Sequence, residues 1–363
     1  MRVVAKLGTS SLTDEHGVID QRALDKVGAE VAQLRDAGHE VVLVSSGAVA
    51  SGLPALGLTA EQRPKDARTL QAISAVGQAR LVQSWNDALA EHGLVAGQVL
   101  LVPLDFMVRT QYLQARATLE RLLELGVVPV VNENDAIADD EIRFGDNDRM
   151  AALVSHLIRA DVLVLLTDTP GLMDADPRLE PGASLIAEIV EVDHELESLA
   201  GGAGTARGSG GMASKLAAAK MASWSGVRTV IAAADRPQVL VDAVEGRPGV
   251  GTTVVAQDRR LPARKLWIAF ALPAEGRIVV DDAAVRALTR GGRSLLAAGV
   301  VAVEGEFAAE DAVEIVDRDG AVVAKGLAKV DSATLTAMAG RSSEELFDHS
   351  GEAVHRDDLV VLP

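Results

Sequence analysis

Strand-length apolar runs alternate with longer amphipathic segments through the first 255 residues of this chain. The runs are apolar at almost every position, which is typical of parallel strands buried on both faces of a sheet. Parallel strands need crossover connections, and the amphipathic segments have the length of helices. We therefore predict an α/β three-layer sandwich with a mostly parallel central sheet. The predicted strands are residues 2–7, 40–44, 94–102, 127–131, 161–166 and 229–233, and the predicted helices are residues 20–37, 66–91, 111–125, 145–159 and 237–244.

Small or polar residues come directly after four of these predicted strands. They are Gly8-Thr9-Ser10, Ser45-Ser46-Gly47, Asn132-Glu133-Asn134-Asp135 and Thr167-Asp168. Groups just past the carboxyl end of a strand lie in the ligand crevice of an open α/β sheet. The sequence therefore predicts ligand-binding groups at this edge of the sheet.

The segment of residues 127–150 carries the strongest functional signal. After the Asn132–Asp135 cluster comes a second polar cluster, Gly145-Asp146-Asn147-Asp148, which opens an amphipathic helix with Asp146 as its predicted N-cap. Such a concentration of carboxylates and amides suits an ammonium group, a metal ion or a lysine that must be oriented. Either cluster alone fits an ordinary Asn- and Asp-rich turn equally well, whereas the two together favour a site.

Two lysines complete the pattern. Lys6 lies inside a predicted buried strand, where its charge is costly unless it faces a negative group. Lys215 follows the glycine-rich segment 201–215 in the first turns of a predicted helix, a good place to bind phosphate. Taken alone, Lys6 could extend along a sheet edge and the glycines could form a mobile surface loop. Two cations at one end of the sheet favour a phosphate site, although the segment lacks the Walker spacing.

Composition excludes several classes of protein. The formal net charge of −17 disfavours nucleic acid as a long-range partner, so an anionic substrate needs locally concentrated cations. The chain has no cysteine, which excludes disulfides and thiolate catalysis and fits the cytoplasm. The longest apolar runs have strand length, and the N-terminus enters a strand directly, so we expect neither a membrane span nor a signal peptide.

The pattern of apolar and polar residues changes near residue 256. Residues 256–273 are interpreted as a linker with one apolar patch, and residues 274–363 contain short apolar runs separated by glycine and acidic turns. This pattern predicts a small, largely β domain of a barrel or sandwich kind. The tail has nine Lys and Arg against seventeen Asp and Glu, whereas nucleic-acid sites usually carry a basic footprint. RNA binding by this domain is therefore disfavoured.

The ordered motifs resemble those of the glutamate 5-kinases, a branch of the amino-acid-kinase family. The resemblance covers about residues 1–255, and the tail resembles the PUA domain that many bacterial members carry. The family's Thr-Gly-Gly-Met-Ser-Thr-Lys is Ser209-Gly-Gly-Met-Ala-Ser-Lys215 here, and Ser45 is often a threonine. None of these departures removes a charged group.

The resemblance implies transfer of phosphate from ATP, with Mg²⁺, to the γ-carboxylate of L-glutamate, the first step of proline biosynthesis. It implies feedback inhibition by proline and assembly into dimers or tetramers. It also implies that Lys6 and Lys215 neutralise the transferring phosphoryl group while Asp148 orients both lysines. Ser46, Asp135 and Asn147 are expected to bind glutamate, and Asp146 to assist the metal or the amine. The residues expected to contact ATP are Lys6, Gly8, Thr167, Asp168, Ser209, Gly210, Gly211, Met212, Ala213, Ser214 and Lys215.

Three other functions compete with this one. The chain could phosphorylate N-acetylglutamate, aspartate, carbamate, a uridine nucleotide or isopentenyl phosphate. However, phosphate-bearing acceptors would need extra basic residues near Ser46 or Asp135, and an N-acetylated one lacks the ammonium that the Asn132–Asp135 cluster suits. The tail could make the protein an RNA binder, which its charge disfavours. An inactive sensor of proline or glutamate is disfavoured because Lys6, Lys215 and Asp148 are all present.

Overall fold

The computed structural model describes residues 1–14, 16–137, 147–175, 180, 182–201, 211–258, 261–270, 272, 274–342 and 351–362. The chain divides into two compact units, Met1–Arg260 and Leu261–Pro363. Within the described ranges, no helix is both long enough and apolar enough to span a lipid bilayer.

An eight-stranded sheet forms the centre of the first unit in its described part. The strand order is β3-β4-β2-β1-β5-β7-β8-β6, and every pairing is parallel except that of β7 with β8. The predicted mostly parallel sheet is therefore confirmed. The strands are β1 (Arg2–Leu7), β2 (Glu40–Ser45), β3 (Ala96–Leu101), β4 (Val128–Glu133), β5 (Val162–Thr167), β6 (Glu188–Ile189), β7 (Arg228–Ala233) and β8 (Gly251–Val254).

Helices cover both faces of this sheet. Val3, Ala5 and Leu7 of β1 share one apolar core with residues of α2 (Gln21–Asp36), α4 (Ala67–Ala90) and α10 (Val239–Glu245). Successive side chains of a strand point to opposite faces, so Val4 and Lys6 face the other layer, which contains α7 (Asn147–Leu157) and α9 (Met212–Trp224). The helices are α1 (Thr9–Leu12), α2 (Gln21–Asp36), α3 (Ala48–Ala55), α4 (Ala67–Ala90), α5 (Leu104–Met107), α6 (Arg109–Glu124), α7 (Asn147–Leu157), α8 (His194–Gly201), α9 (Met212–Trp224) and α10 (Val239–Glu245).

Helices α3 and α4 pack at unusually close range through two glycines. A Cβ atom added to Gly77 would lie 1.8 Å from the carbonyl oxygen of Ala48, and one added to Gly52 would lie 2.1 Å from that of Ile73. Both positions therefore require glycine on steric grounds. The contact fixes the start of α3, which follows Ser46 and Gly47 at the carboxyl end of β2.

Replacing Gly77 by alanine should destabilise the first unit, although alanine favours an isolated helix by about 0.8–1 kcal/mol over glycine. The added methyl group must push the backbones of α3 and α4 apart, and overpacking of this kind costs about 1–3 kcal/mol. Thermal unfolding measures the change. Gly182→Ala is the control, because no atom of the described residues lies within 4 Å of a Cβ added at Gly182. An unchanged or higher melting temperature for Gly77→Ala would contradict the packing.

The second unit contains a six-stranded sheet in its described part, with strand order β10-β14-β13-β12-β9-β11. Its apolar core includes Ile278, Val313, Leu335 and Val354, as the predicted β-rich domain requires. Helix α11 lies in the segment interpreted as a linker and packs on β14, because its apolar residues Leu266, Trp267 and Ile268 are buried. The elements are α11 (Ala263–Phe270), β9 (Gly276–Val280), α12 (Asp282–Gly291), β10 (Leu295–Leu296), β11 (Val300–Glu304), β12 (Ala312–Val316), β13 (Val322–Ala328), α13 (Ser332–Met338) and β14 (Glu352–Val361).

Candidate active site

The site is built at the carboxyl ends of the central strands. The chain moves from β1 to β2 and β4 on one side and returns to β5 on the other, so the strand order reverses beside β1. Such a switch point is where open α/β sheets bind ligands. Ser46, just beyond β2, donates its backbone N–H to the carbonyl oxygen of Leu7 at 3.0 Å, which fixes it beside the end of β1. Gly47 follows with φ of +107°, a conformation that favours glycine.

One buried carboxylate joins the two predicted lysines. The Nζ of Lys6, on β1, lies 2.6 Å from Oδ1 of Asp148, and the Nζ of Lys215, on α9, lies 3.2 Å from Oδ2. Asp148 occupies the first turn of α7, and α7 packs against α9. Three segments far apart in sequence therefore meet at one carboxyl group, as the sequence analysis expected.

We call Lys6, Asp148 and Lys215 the lysine triad. These three charged residues are unusual because all of them are buried. Their exposed fractions are 2%, 0% and 5%. Charges removed from water must be paired, because an isolated buried charge is very costly. Two ammonium groups around one carboxylate give the triad a net charge of +1 as a group, which suits a polyanionic ligand such as a nucleotide phosphate.

Small residues surround the triad. A Cβ added to Gly8 would lie 3.5 Å from the Nζ of Lys6. Gly211 precedes the first residue of α9, so Met212, Ala213 and Ser214 form the turn that carries Lys215. The hydroxyl of Ser214 lies 3.4 Å from Oδ2 of Asp148. This arrangement leaves backbone N–H groups of a helix N-terminus near the lysines, where phosphate oxygens bind well.

The remaining predicted nucleotide residues fall into two groups. Thr167 ends β5, and its hydroxyl donates a hydrogen bond to Asp168 at 3.1 Å. Both lie at the same edge of the sheet as Lys6, because Leu7 of β1 pairs with Leu166 of β5. Ser209, Gly210 and Asp146 lie outside the described residues.

Asn147 links the triad to the end of β2. Its amide Nδ2 donates to the hydroxyl of Ser46 at 2.9 Å and to Oδ1 of Asn132 at 2.8 Å. Asn132 in turn donates its Nδ2 to Oε1 of Gln78, on α4, at 2.9 Å. Since Asn147 and Asp148 are consecutive, one turn of α7 carries both an amide network and the carboxylate of the triad. The structure thus brings Ser46 and Asn147 together, as expected.

Asp135 lies at a cleft of about 300 Å³ between α4 and the ends of β3 and β4. It accepts a hydrogen bond from the hydroxyl of Ser74 at 2.6 Å. The described lining residues are Ser74, Ala75, Gln78, Ala79, Gln98, Leu100, Glu133, Asn134, Asp135 and Ala136. Carboxylates and amides dominate its polar lining, which suits a cationic group of a small ligand.

Ser74 and Gln78 are contributors that were not predicted, and Asn132 was predicted only as a member of the Asn132–Asp135 cluster, without a role of its own. Ser74 and Gln78 are four residues apart and therefore share one face of α4. Both are buried, and polar residues on the buried face of a helix are the signal that could have identified them. The signal is weak in the sequence because α4 also buries Ile73, Gly77 and Leu81 on this side.

Comparison with known proteins agrees with this architecture. The model of the amino acid kinase family matches residues 1–233, and that of the PUA domain matches residues 276–349. The chain is 46% identical over 366 residues to a protein named glutamate 5-kinase from Burkholderia pseudomallei (strain K96243), with 99% of this chain and 98% of that protein covered. It is 45% identical to the glutamate 5-kinase of Burkholderia multivorans (strain ATCC 17616 / 249), with the same coverage.

Among solved structures, the carbamate kinase of Giardia lamblia bound to AMP-PNP is similar over 70% of this chain and 98% of that chain, with a TM-score of 0.49 and 16% identity. The family assignment depends on the sequence matches, which include a family model that covers more than half of the chain and relatives that align over almost its full length. The chain therefore belongs to the amino acid kinase family.

Proposed function

We propose that this protein transfers the γ-phosphoryl group of ATP to the γ-carboxylate of L-glutamate, giving γ-glutamyl phosphate and ADP, the first step of proline biosynthesis. The observation that carries the proposal is the lysine triad: two buried ammonium groups on one buried carboxylate, beside Asn147. The full-length similarity to proteins named glutamate 5-kinase supports it.

The chemistry needs cations more than it needs a base. A γ-carboxylate has a pKa of about 4.3, so at neutral pH it is already an anionic nucleophile. The barrier comes from bringing this anion to a polyanionic donor in line with the leaving group. Lys6 and Lys215 each contact one carboxylate oxygen of Asp148, and together they offset the negative charge on the transferring phosphoryl group. Asp148 holds both ammonium groups in place.

The cleft favours an acceptor with an ammonium group over one with a phosphate. Among its described lining residues there is no Lys or Arg, while Glu133 and Asp135 are acidic. A phosphate-bearing acceptor would meet repulsion there. Glutamate can direct its α-ammonium group to these acceptors and its γ-carboxylate to the triad. We assign glutamate binding to Asp135 on this basis. The family resemblance adds Ser46 and Asn147, which are hydrogen-bonded to each other.

Magnesium fits this site as a partner of the nucleotide. In the part of the chain that the structure describes, no cluster of three or more His, Cys, Asp or Glu residues could hold a metal ion. Mg²⁺ commonly binds through one or two carboxylates plus substrate phosphates. Besides Asp146, which lies outside the described residues, Asp168 directly after β5 is a carboxylate that would hold it. When bound, Mg²⁺ supplies additional neutralisation of phosphate charge.

Release of ADP by the purified protein tests the proposal. The assay compares L-glutamate with N-acetyl-L-glutamate, L-aspartate, carbamate, UMP and isopentenyl phosphate at equal concentration. We expect turnover with L-glutamate to exceed that with every other acceptor. Faster turnover with any of the others would replace the proposed substrate, and turnover with none would refute the kinase assignment.

The charge of Asp135 should matter for glutamate and little for ATP. Asp135→Asn keeps the size of the side chain and an oxygen for Ser74, but it removes the negative charge that faces the ammonium group. We expect the glutamate KM to rise at least about tenfold, since hydrogen bonds to charged groups contribute about 1.5–3 kcal/mol. The ATP KM should stay near its original value.

Asp87→Asn is the matched control for this variant, because Asp87 is exposed on α4 and accepts a hydrogen bond from Gln83. Steady-state kinetics of both variants give the comparison. A glutamate KM that is unchanged in Asp135→Asn would remove Asp135 from the substrate site.

We also propose that proline inhibits the enzyme and that the chain acts in the cytoplasm as a homodimer or homotetramer, as the family resemblance implies. The same ADP assay with added proline tests the first point. Sedimentation velocity tests the second, and a monomer at all concentrations would contradict it.

A further inference from the structure

Three amide side chains form a continuous hydrogen-bonded chain next to the triad. This amide chain consists of Gln78 on α4, Asn132 on β4 and Asn147 on α7. Each primary amide has one oxygen end, which accepts hydrogen bonds, and one NH₂ end, which donates them. The direction of one amide therefore dictates the direction of the next.

A backbone group sets the direction of the whole chain. The N–H of Glu133 donates to Oδ1 of Asn132 at 2.9 Å. A backbone N–H can only donate, so Asn132 must present its oxygen on this side. The opposite end of Asn132 is then a donor, and Oε1 of Gln78 accepts its hydrogen bond at 2.9 Å. Gln78 thereby satisfies the Asn132 amide from the neighbouring helix.

The same direction determines what Asn147 offers to a ligand. Because Oδ1 of Asn132 is an acceptor, Asn147 must turn its NH₂ group towards it, and that group also donates to Ser46. The remaining atom is Oδ1 of Asn147, which is buried and has no hydrogen-bond partner among the described residues. A buried acceptor without a partner is costly, and a ligand that supplies an N–H donor relieves the cost.

We infer that Gln78 and Asn132 are positioning residues, which orient Asn147 so that its oxygen is left to accept a hydrogen bond from the ammonium group of the amino-acid substrate. The inference rests on the proposed function and deepens it, because it explains selection of an acceptor with a free amine. Gln78 also lines the cleft, but the positioning role of Gln78 and Asn132 does not require contact with the substrate. Both residues disfavour the flipped orientation of the Asn147 side-chain amide, in which its oxygen and NH₂ group exchange places.

The first test replaces Asn132 by leucine and by aspartate. Asn132→Leu removes the acceptor, so Asn147 can turn over, and the glutamate KM should rise about tenfold or more with little change in the ATP KM. Asn132→Asp keeps an oxygen for Glu133 and Asn147, while Gln78 can turn its own amide to donate. The glutamate KM of Asn132→Asp should therefore be closer to that of the unmodified protein than the glutamate KM of Asn132→Leu. The reverse order would overturn the inference.

A ligand without the amine separates positioning from general damage. Glutarate lacks only the α-ammonium group of glutamate. The better match is 2-hydroxyglutarate, which keeps both carboxylates and replaces the ammonium by a neutral hydroxyl. Its inhibition constant against glutamate should change by less than about threefold in Asn132→Leu, because it has no charged donor to lose. Equal losses for both ligands would indicate a structural defect and overturn the inference.

Gln78→Met provides an independent variant, because methionine has nearly the same shape but offers no oxygen to Asn132. It should raise the glutamate KM in the same sense as Asn132→Leu. Gln83→Met, at an exposed position of the same helix, is the control and should leave the KM unchanged. Thermal unfolding checks that the variants are folded. A Gln78→Met enzyme with unchanged kinetics would contradict the role of Gln78, while absence of glutamate turnover in the unmodified protein would refute the proposed function itself.

Discussion

Lys215→Ala should lower kcat by about a hundredfold or more, by analogy with the loss of one donor that stabilises a developing charge. The ammonium group of Lys215 is one of only two in the lysine triad, so its removal leaves the transferring phosphoryl group with half of that neutralising charge. The fold should survive, because Asp148 keeps Lys6 as a partner at 2.6 Å. Steady-state kinetics and thermal unfolding of the purified variant test both statements.

Lys220→Ala is the matched control, because Lys220 lies on the same helix and pairs with Glu197 near the surface at 2.7 Å. Surface pairs of this kind contribute about 0–1 kcal/mol to stability, and we expect kcat to stay near that of the unmodified protein. Full activity of Lys215→Ala, or an equal loss in both variants, would refute the assigned role of Lys215.

Asp148→Asn should impair stability as well as turnover. Asp148 is fully buried and faces both ammonium groups, and removing one partner from a buried ion pair costs about 3–5 kcal/mol. The new amide also turns an NH₂ donor towards one of the lysines. We expect a clear fall in the free energy of unfolding of the first unit and a loss of kcat at least as large as that of Lys215→Ala.

A double variant separates these two effects. Adding Lys215→Met to Asp148→Asn removes one of the unpaired ammonium groups, so part of the lost stability should return while kcat stays low. Chemical denaturation with activity assays measures both. If Asp148→Asn unfolds at the same denaturant concentration as the unmodified protein, the carboxylate does not hold the lysines as the structure indicates.

Much of the fold could be predicted because local signals agree with the tertiary structure. Strand β1 has the predicted bounds, and helices α2 and α4 differ from prediction by one residue at each end. Asp20 and Asp66 explain the accuracy at two helix starts, since each side chain accepts a hydrogen bond from a backbone N–H of the first turn.

The parts that were not predicted depend on long-range contacts. Strand β8 is only four residues long and runs antiparallel to β7. A Cβ added to Gly251 would lie 2.1 Å from the carbonyl oxygen of Ile231, so the strand depends on a glycine whose role only the folded structure reveals. Helix α12 of the second unit was not predicted either, because short apolar runs typical of strands dominate the sequence around it.

The candidate active site likewise has a part that could be predicted from the sequence and a part that could not. The convergence of Lys6, Asp148 and Lys215 could be predicted from the resemblance to the glutamate 5-kinases, whereas the cost of burying a charge indicated only that Lys6 faces a negative group. The amide chain could not, because Gln78 precedes Asn132 by 54 residues on a helix with no functional motif. Its direction depends on one backbone hydrogen bond from Glu133, which sequence patterns do not encode.

Trapping of the acyl phosphate with hydroxylamine tests the central claim most directly. The unmodified protein and Lys215→Ala are each incubated with ATP, Mg²⁺, L-glutamate and hydroxylamine, and γ-glutamyl hydroxamate is measured. Our account predicts hydroxamate that depends on both ATP and glutamate with the unmodified protein, and almost none with Lys215→Ala. Equal hydroxamate formation by the two proteins, or none by the unmodified protein, would contradict it.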